Sequence, residues 1–346
     1  MKIAVIGGGI NGLMSASYFS DLGYDVHLYE KNFVCSETSS KSSKLIHGGI
    51  RYLENFQFSL VKEALMCQKL WLEQYPGFLN IKRFYIPIYS SSPKNIFYVY
   101  LGAKIYELLS GRKTLGKSKM HTKKETEKLL PHISNDHLKG CVSYMDVIMD
   151  DHALIAKLVE DVSKKITVYE QTRVTNASED GSIEINGMRL VYDRVINVCG
   201  PWVNEIGGSN IEMDLIRGSH LRTKKISDNP ILNINSDGRV LFIIPYNNES
   251  YIGTTEVRHE QDKPAYCTNE EMTYLLKNAN NVLNKKLNVS DIIGTYSGVR
   301  PIVKDKKDYS KSSRDSLITQ NGKLVEVYGG KWTSSIILGE KVGEYI

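Results

Sequence analysis

The sequence has few cysteines, and their arrangement excludes two common kinds of covalent or metal framework. Cys35, Cys67, Cys141, Cys199 and Cys267 are scattered, odd in number and never in a C-x-x-C pair. Neither a disulfide framework nor a zinc or iron–sulfur site is therefore expected. We predict no bound metal and a reducing compartment.

The sequence also contains no long apolar run, and we expect no leader peptide. No apolar run approaches the roughly 18 residues that span a bilayer, and Met1-Lys2 leads directly into a buried-strand pattern. We expect a cytoplasmic protein. Peripheral contact at the inner surface of a membrane stays open at this point.

Charge of one sign is only slightly in excess. The 44 Lys and Arg residues against 39 Asp and Glu give a formal charge of +5, which is compatible with a small anionic ligand or an acidic surface. The basic run at 110–124 lacks interleaved aromatic residues and any nucleic-acid-binding motif, so we expect a solvated loop and no nucleic-acid partner.

The first thirty residues carry the pattern of a dinucleotide-binding βαβ unit. An apolar strand, "KIAVIGGG", precedes a helix, "INGLMSASYFSDLG", and a second strand, "YDVHLYE". Gly7, Gly9 and Gly12 have G-x-G-x-x-G spacing, and Glu30 ends the second strand. Such glycines admit a tight turn, the helix N-terminus attracts a pyrophosphate, and the terminal carboxylate accepts hydrogen bonds from ribose hydroxyls.

The strands that could complete this sheet return late, near residues 194 and 324, which favours a flavin enzyme over a nicotinamide enzyme. The intervening sequence predicts helices at 56–75, 96–111 and 150–165, a hairpin turn at Asn186-Gly187 and many short strands. We expect an α/β fold in which a Rossmann-like FAD-binding domain is interleaved with a β-sheet-rich α+β substrate-binding domain. The predicted bounds are 1–75, 141–205 and 297–346 for the FAD-binding domain, and 76–140 and 206–296 for the substrate-binding domain.

Specific motifs extend over almost the whole chain: "GGGINGLMSA", "SSKSSKLIHGGIRYLE", "YMDVIMDDHAL", "NVCGPWV", "IRGSH", "FIIPY" with "YIGTTE", "TYSGVRPI", "SSRDSL" and "YGGKWTS". With these motifs the sequence resembles the FAD-dependent glycerol-3-phosphate dehydrogenases, within the D-amino-acid oxidase-like superfamily. The resemblance implies non-covalently bound FAD and oxidation of sn-glycerol 3-phosphate to dihydroxyacetone phosphate by hydride transfer to flavin N5. Electrons would then pass to a quinone or to oxygen.

The same resemblance implies which residues hold the cofactor and face the substrate. Arg51 and Tyr52 are expected to face the substrate, and His47 is expected to lie against the flavin without acting as a base. The expected cofactor contacts are Gly7, Gly9, Asn11, Gly12, Glu30, Ser39, Ser42, Ser43, Lys44, Leu45, His47, Gly49, Val174, Gly200, Trp202, Gly330, Lys331, Trp332 and Thr333.

Alcohol oxidation needs a base for the hydroxyl proton and positive charge for the developing alkoxide. His220 in "RGSH" is the predicted base, and Arg300 in "SGVRP" and Lys331 in "GGK" are its predicted electrostatic partners. Arginine also suits a phosphate, because its planar fork donates two hydrogen bonds at once. Arg51 and Arg314 are therefore predicted to bind the substrate phosphate, with Arg300 sharing that role.

Two departures from the family pattern keep alternatives open. The chain stops at Ile346, where similar enzymes continue into a helical C-terminal domain, and Trp332 follows the "GGK" lysine where a smaller residue is common. One alternative is a flavin dehydrogenase or oxidase for another phosphorylated or anionic hydroxy compound. Another is a non-catalytic flavin-binding subunit that acts with a partner subunit.

Overall fold

Two large β-sheets carry the fold, with helices packed around them. The computed structural model describes residues 1–111, 114–261, 263–304 and 316–346. In chain order, the strands of these residues are β1 (Lys2–Ile6), β2 (Asp25–Tyr29), β3 (Leu45–Ile46), β4 (Leu79–Tyr89), β5 (Lys119–Thr122), β6 (Leu138–Met149), β7 (Thr167–Tyr169), β8 (Asn176–Ala177), β9 (Ser182–Ile185), β10 (Met188–Val191), β11 (Arg194–Asn197), β12 (Met213–Lys224), β13 (Ile231–Ile234), β14 (Val240–Tyr246), β15 (Glu249–Gly253), β16 (Val257–Arg258), β17 (Ile292–Val303), β18 (Leu317–Asn321) and β19 (Leu324–Tyr328).

The helices follow the hydrophobic periodicity of the sequence. They are α1 (Ile10–Asp21), α2 (Phe58–Gln74), α3 (Ile96–Leu109), α4 (Lys123–Leu129), α5 (Asp151–Ser163), α6 (Val203–Ile206), α7 (Asn269–Val282) and α8 (Leu338–Gly343). Within the described part of the chain, we find no helix whose length and apolar character would let it cross a bilayer.

The first sheet has six strands in the order β18-β19-β11-β1-β2-β7. Strand β1 pairs in parallel with β2 on one side and with β11 on the other, and β11 pairs in parallel with β19. The two late strands predicted to complete the βαβ unit therefore lie beside it. Ile3, Ala4 and Val5 of β1 are fully buried, and burying each large aliphatic side chain stabilises the fold by about 1.5–3 kcal/mol.

The larger sheet contains β16-β12-β15-β14-β13-β4-β6-β3, with β17 paired to β12 and β5 paired to β6. The predicted fold class, a Rossmann-like domain with a β-rich second part, is confirmed by this arrangement and by the relatives described below. The domain bounds stay a prediction. Strands β6 and β17 extend across the predicted bounds at 141 and 297, and both lie in the larger sheet.

Local signals in the sequence account for several element ends. Asp150 caps α5, since its carboxylate accepts a hydrogen bond from the backbone N–H of Ala153 at 3.0 Å. Asn186 and Gly187 form the two-residue turn between β9 and β10, with φ of 51° and 76°. The predicted C-terminal helix differs in form, because it starts as a 3₁₀-helix at Thr333–Ile337 before α8.

Helix α1 lies unusually close to β1, and Gly12 is what permits this. A Cβ atom on Gly12 would lie 1.9 Å from the carbonyl oxygen of Gly7, which itself has φ of +103°. The Gly7 oxygen is a backbone atom and not the end of a flexible side chain, so the backbone would have to move. The G-x-G-x-x-G spacing is therefore required by packing as well as by a ligand.

We expect Gly12→Ala to destabilise the protein by about 1–3 kcal/mol or more, because the added methyl group overlaps the Gly7 carbonyl. Thermal unfolding measures the change. The control is Gly102→Ala in α3, where a Cβ atom meets no other atom within 4 Å and alanine favours the helix by about 1 kcal/mol. Equal unfolding temperatures for the two variants would contradict this account of Gly12.

Candidate active site

One cleft collects most of the predicted site residues from both sheets. Its empty volume, including the part open to solvent, is about 1900 Å³. The predicted residues that line it are Gly7, Gly9, Asn11, Glu30, Ser39, Ser42, Ser43, Leu45, His47, Tyr52, Val174, Gly200, Trp202, His220, Arg300, Gly330, Lys331, Trp332 and Thr333.

Four other predicted residues do not line the cleft. Gly12 packs against Gly7, and a Cβ atom on Gly49 would overlap the Tyr52 ring. Lys44 turns into a buried ion pair with Asp151. Arg51 faces the carboxylate of Glu256, with 3.5 Å between Nη1 and Oε1.

Arg314, predicted to bind the substrate phosphate, lies outside the residues that the structure describes. Its role therefore stays a prediction from the sequence.

Glu30 lies at one end of the cleft, where β2 ends. Its two carboxylate oxygens accept hydrogen bonds from the backbone N–H groups of Gly8 at 2.7 Å and Asn32 at 2.8 Å. Close by, the hydroxyl of Ser39 accepts a hydrogen bond from the N–H of Ile10, the first residue of α1, at 2.9 Å. The Gly-rich turn, the helix start and the serine segment therefore form one continuous surface.

The same end of the cleft contains a contact that the sequence did not predict. The Lys31 ammonium lies 3.2 Å from the centroid of the Trp202 ring, a cation–π arrangement. Burial lowers the pKa of Lys31, while Glu37, Glu205 and Glu30 partly offset that effect. The "EK" dipeptide after β2 and the "GPW" motif are the signals from which this pair could have been suspected.

His220 lies on β12 in the other half of the cleft and is 5% exposed. Its ring stacks on Tyr296 of β17, with 4.7 Å between the centroids and an angle of 6°. Gly253 of β15 is its neighbour on the other side, and a Cβ atom there would lie 2.1 Å from the imidazole Cδ2. The glycine of "YIGTT" therefore makes room for the histidine of "RGSH".

Burial keeps His220 neutral. Desolvation, and then the nearby positive charges of Arg300 and Lys44, lower its pKa from 6.5 to about 3. The sequence alone predicts a histidine with an unperturbed pKa near neutrality, and the structure differs because the imidazole is enclosed beside two cations. An unprotonated imidazole is the form that can accept a proton.

Arg300 and Lys331 bring positive charge to the same cleft. The Arg300 guanidinium donates a hydrogen bond to the Thr255 carbonyl at 3.2 Å, and it lies over Gly218, where a Cβ atom would be 2.6 Å from Nη2. The Lys331 ammonium lies 4.7 Å from the centroid of the Tyr52 ring. Gly218 thus leaves space for the Arg300 guanidinium, as Gly253 does for the His220 ring.

Several residues of the site were not predicted from the sequence. Tyr296 supports the imidazole face, and Glu256 pairs with Arg51. Glu271 lies behind β12, where its Oε1 accepts hydrogen bonds from Ser219 at 2.8 Å and Thr255 at 2.6 Å. The capping-box pattern of "TNEE" places Glu271 at a helix start. Only the packing of α7 brings its carboxylate to Ser219 and Thr255.

Comparison with known proteins gives a family and a set of relatives. Residues 2–345 match the FAD dependent oxidoreductase family. A glycerol-3-phosphate dehydrogenase of Pseudomonas tolaasii is 34% identical over 367 residues, an alignment covering 98% of this chain and 70% of the relative. A D-erythritol 1-phosphate dehydrogenase of Brucella abortus is 33% identical, with 97% and 72% covered.

Two solved structures share the fold. The glycerol-3-phosphate dehydrogenase from Bacillus halodurans complexed with FAD has a TM-score of 0.76 at 22% identity, covering 100% of this chain and 64% of that one. The L-alpha-glycerophosphate oxidase from Mycoplasma pneumoniae with FAD bound has a TM-score of 0.78 at 18% identity, covering 99% and 94%.

The residues present fit FAD. A dinucleotide carries a pyrophosphate, and the cleft wall contains the cations Lys31, Lys41, Arg173, Arg300 and Lys331 against the acids Glu30, Glu37 and Glu205. The Gly-rich turn admits close approach to the start of α1, and Glu30 is placed to accept hydrogen bonds from a ribose. The predicted cofactor, FAD, is confirmed by the match to the FAD dependent oxidoreductase family.

We expect Glu30→Ala to weaken FAD binding about tenfold or more, since a charged acceptor of hydrogen bonds contributes about 1.5–3 kcal/mol. FAD released by ultrafiltration measures the affinity. The matched control is Glu170→Ala: Glu170 accepts a hydrogen bond from the N–H of Val34 at 2.8 Å and follows the neighbouring strand β7, outside the cleft wall. Equal FAD retention in both variants would remove Glu30 from the ribose role.

We also expect His220 to stay neutral from about pH 5 upward, because it is buried beside Arg300 and Lys44. Its pKa is lower in the folded protein than in the unfolded chain. Unfolding therefore takes up protons, and the histidine destabilises the fold as the pH falls below about 6.5. Side-chain ¹⁵N NMR, assigned with His220→Asn, follows the titration. A midpoint near the ordinary histidine value would refute this expectation.

Proposed function

The chain belongs to the FAD dependent oxidoreductase family, and on this premise we propose that it oxidises sn-glycerol 3-phosphate to dihydroxyacetone phosphate. The observation that carries the proposal is the meeting of a neutral, buried His220 with the cations Arg300 and Lys331 in one cleft. A base and fixed positive charge are what the oxidation of a phosphorylated alcohol requires.

His220 is proposed as the base that accepts the hydroxyl proton of the substrate. Its Nε2 lies 3.0 Å from the hydroxyl of Ser43, a residue of the cleft wall, whereas Nδ1 is buried. Because a neutral imidazole has only one nitrogen that accepts a hydrogen bond, the substrate hydroxyl takes the place of the Ser43 hydroxyl at Nε2 before its proton is transferred. When bound, FAD supplies the acceptor for the hydride that leaves the alcohol carbon. Arg300 and Lys331 stabilise the negative charge that develops on the oxygen as its proton leaves.

The substrate phosphate is proposed to bind the same cations. Arg300 can share its guanidinium between the Thr255 carbonyl and a phosphate, because it has five N–H donors. Arg51 pairs with Glu256 and does not line the cleft, so Arg51, like Arg314, remains part of the proposal on the evidence of the sequence alone. The electron acceptor is proposed to be a quinone or oxygen.

A longer phosphorylated polyol is the second candidate substrate. The observation that favours it is the 33% identity to a D-erythritol 1-phosphate dehydrogenase, close to the 34% for a glycerol-3-phosphate dehydrogenase. Both compounds present a secondary hydroxyl and a phosphate, so the same base and the same cations serve either of them.

Anaerobic reduction of the bound FAD separates these possibilities. The purified protein is mixed with glycerol 3-phosphate, erythritol 1-phosphate, glycerol or lactate, and the loss of visible flavin absorbance is followed. We expect the phosphorylated compounds to reduce the flavin and glycerol to react far more slowly. Faster reduction by lactate would contradict the phosphate assignment, and no reduction by any hydroxy compound would favour the non-catalytic subunit.

We expect His220→Ala and Lys331→Met to slow flavin reduction at saturating substrate by about a hundredfold or more, because a general base or a fixed charge acts mainly in the transition state. Stopped-flow absorbance gives the limiting rate. Lys341→Met is the matched control, since Lys341 lies on α8 and pairs with Glu63 at 2.8 Å, away from the cleft wall. A wild-type limiting rate in either test variant would remove that residue from the chemistry.

A further inference from the structure

A buried ion pair lies directly behind the catalytic half of the cleft. The Lys44 ammonium and the Asp151 carboxylate are 2.5 Å apart, and their side chains are 2% and 0% exposed. The Lys44 ammonium also faces the rings of Tyr246, Tyr251 and Tyr296 at 5.3, 5.4 and 5.9 Å. The proposed chemistry uses neither charge, although burying the pair carries a desolvation cost.

The pair fixes a three-residue segment of backbone, Ser42–Lys44. One oxygen of Asp151 binds the Lys44 ammonium, and the other accepts a hydrogen bond from the Ser42 hydroxyl at 2.7 Å. The Ser42 hydroxyl in turn accepts a hydrogen bond from the N–H of Lys44 at 3.0 Å. Lys44 has φ of +62°, a conformation that a non-glycine residue keeps only where its surroundings impose it.

The residue held in the middle of this segment faces His220. The Ser43 hydroxyl lies 3.0 Å from Nε2 of the imidazole. The other ring nitrogen, Nδ1, is buried and has no hydrogen-bond partner among the residues that the structure describes. Ser43 is thus the polar contact that distinguishes the observed orientation of the ring from the one flipped by 180° about the Cβ–Cγ bond.

The face of the imidazole depends on the same segment. Tyr296 stacks on the ring, and its hydroxyl donates a hydrogen bond to the Ser42 carbonyl at 2.8 Å. Stacking keeps the two rings parallel but is equally compatible with a ring flipped by 180° about its Cβ–Cγ bond, so it complements the contact at Nε2. The hydrogen bond at Nε2 and the stacking of Tyr296 on His220 therefore both depend on residues 42–44.

We propose that the Asp151-anchored segment Ser42–Lys44 is a positioning device for His220, in which the Ser43 hydroxyl holds Nε2 until the substrate hydroxyl takes its place and so sets the direction of the imidazole in advance. The inference rests on the proposed function, in which His220 accepts the substrate proton. Ser43 and Asp151 are positioning residues in this scheme. A hydroxyl suits the role because it can donate to or accept from a ring nitrogen.

Ser43→Ala tests the proposal, with Ser43→Thr as the variant that restores a hydroxyl. We expect Ser43→Ala to lower the limiting rate of flavin reduction about tenfold or more, because a small misplacement of a catalytic group has a large kinetic effect. The half-saturating concentration of glycerol 3-phosphate and the FAD content should change little. Ser43→Thr should recover most of the rate.

Two further variants separate positioning from general stability. Ser40→Ala is the matched control in the same loop, because the Ser40 hydroxyl donates to the carbonyls of Ser36 and Glu37. It should leave the rate unchanged. Ser42→Ala should lower the limiting rate in the same direction as Ser43→Ala, and it avoids leaving the Lys44 or Asp151 charge unpaired, as substitution of either partner would.

Different results would contradict the positioning role and the proposed function. A wild-type limiting rate in FAD-saturated Ser43→Ala, or a loss confined to FAD affinity or thermal stability, would overturn the positioning role. If the wild type is not reduced by either phosphorylated substrate, the proposed function fails, and the test becomes the ¹⁵N shifts of His220. Those shifts should move in Ser43→Ala and stay in Ser40→Ala; unchanged shifts in both overturn the inference.

Discussion

The chain between residues 38 and 49 must satisfy its backbone polar groups with little regular secondary structure of its own, and both halves of the molecule supply partners. Ser39 accepts from the first N–H of α1, and its carbonyl accepts from the Trp332 indole at 3.1 Å. Tyr296 donates to the Ser42 carbonyl, and the Tyr106 hydroxyl accepts from the N–H of Gly48 at 2.8 Å. Because buried backbone groups must be paired, this stretch joins the Rossmann-like half to the larger sheet and shapes the cleft between them.

Electrostatics in the cleft follow from what is buried and what is paired. Lys44 is neutralised by Asp151, whereas Arg300 and Lys331 remain on the cleft wall. The cost of enclosing His220 is limited because the imidazole stays neutral beside these cations. A phosphorylated substrate would place negative charge next to Arg300 and Lys331. The cations that line this part of the cleft therefore favour an anion.

The sequence was informative wherever chemistry depends on local spacing. The G-x-G-x-x-G turn, Glu30 at the end of β2 and the Asp150 cap could be recognised from neighbours within about twenty residues, because helix and strand periods are short. It was less informative for Lys44 and Arg51. Both belong to a motif expected at the flavin and substrate, but their side chains turn toward carboxylates supplied by distant segments.

By itself the sequence determined the βαβ start, the two late segments near residues 194 and 324 that complete the first sheet, and the residue types that a flavin-dependent alcohol oxidation needs. The tertiary structure alone decided which of them meet. Ser43 and His220 are 177 positions apart, and they meet although Ser43 precedes β3 and His220 lies on β12, two strands that are far apart in the order of the larger sheet. Gly253 leaves room for the His220 ring and Gly218 for the Arg300 guanidinium. Burial beside Arg300 then lowers the pKa of His220. Such contacts depend on the packing of whole sheets, which no short-range period in the chain encodes.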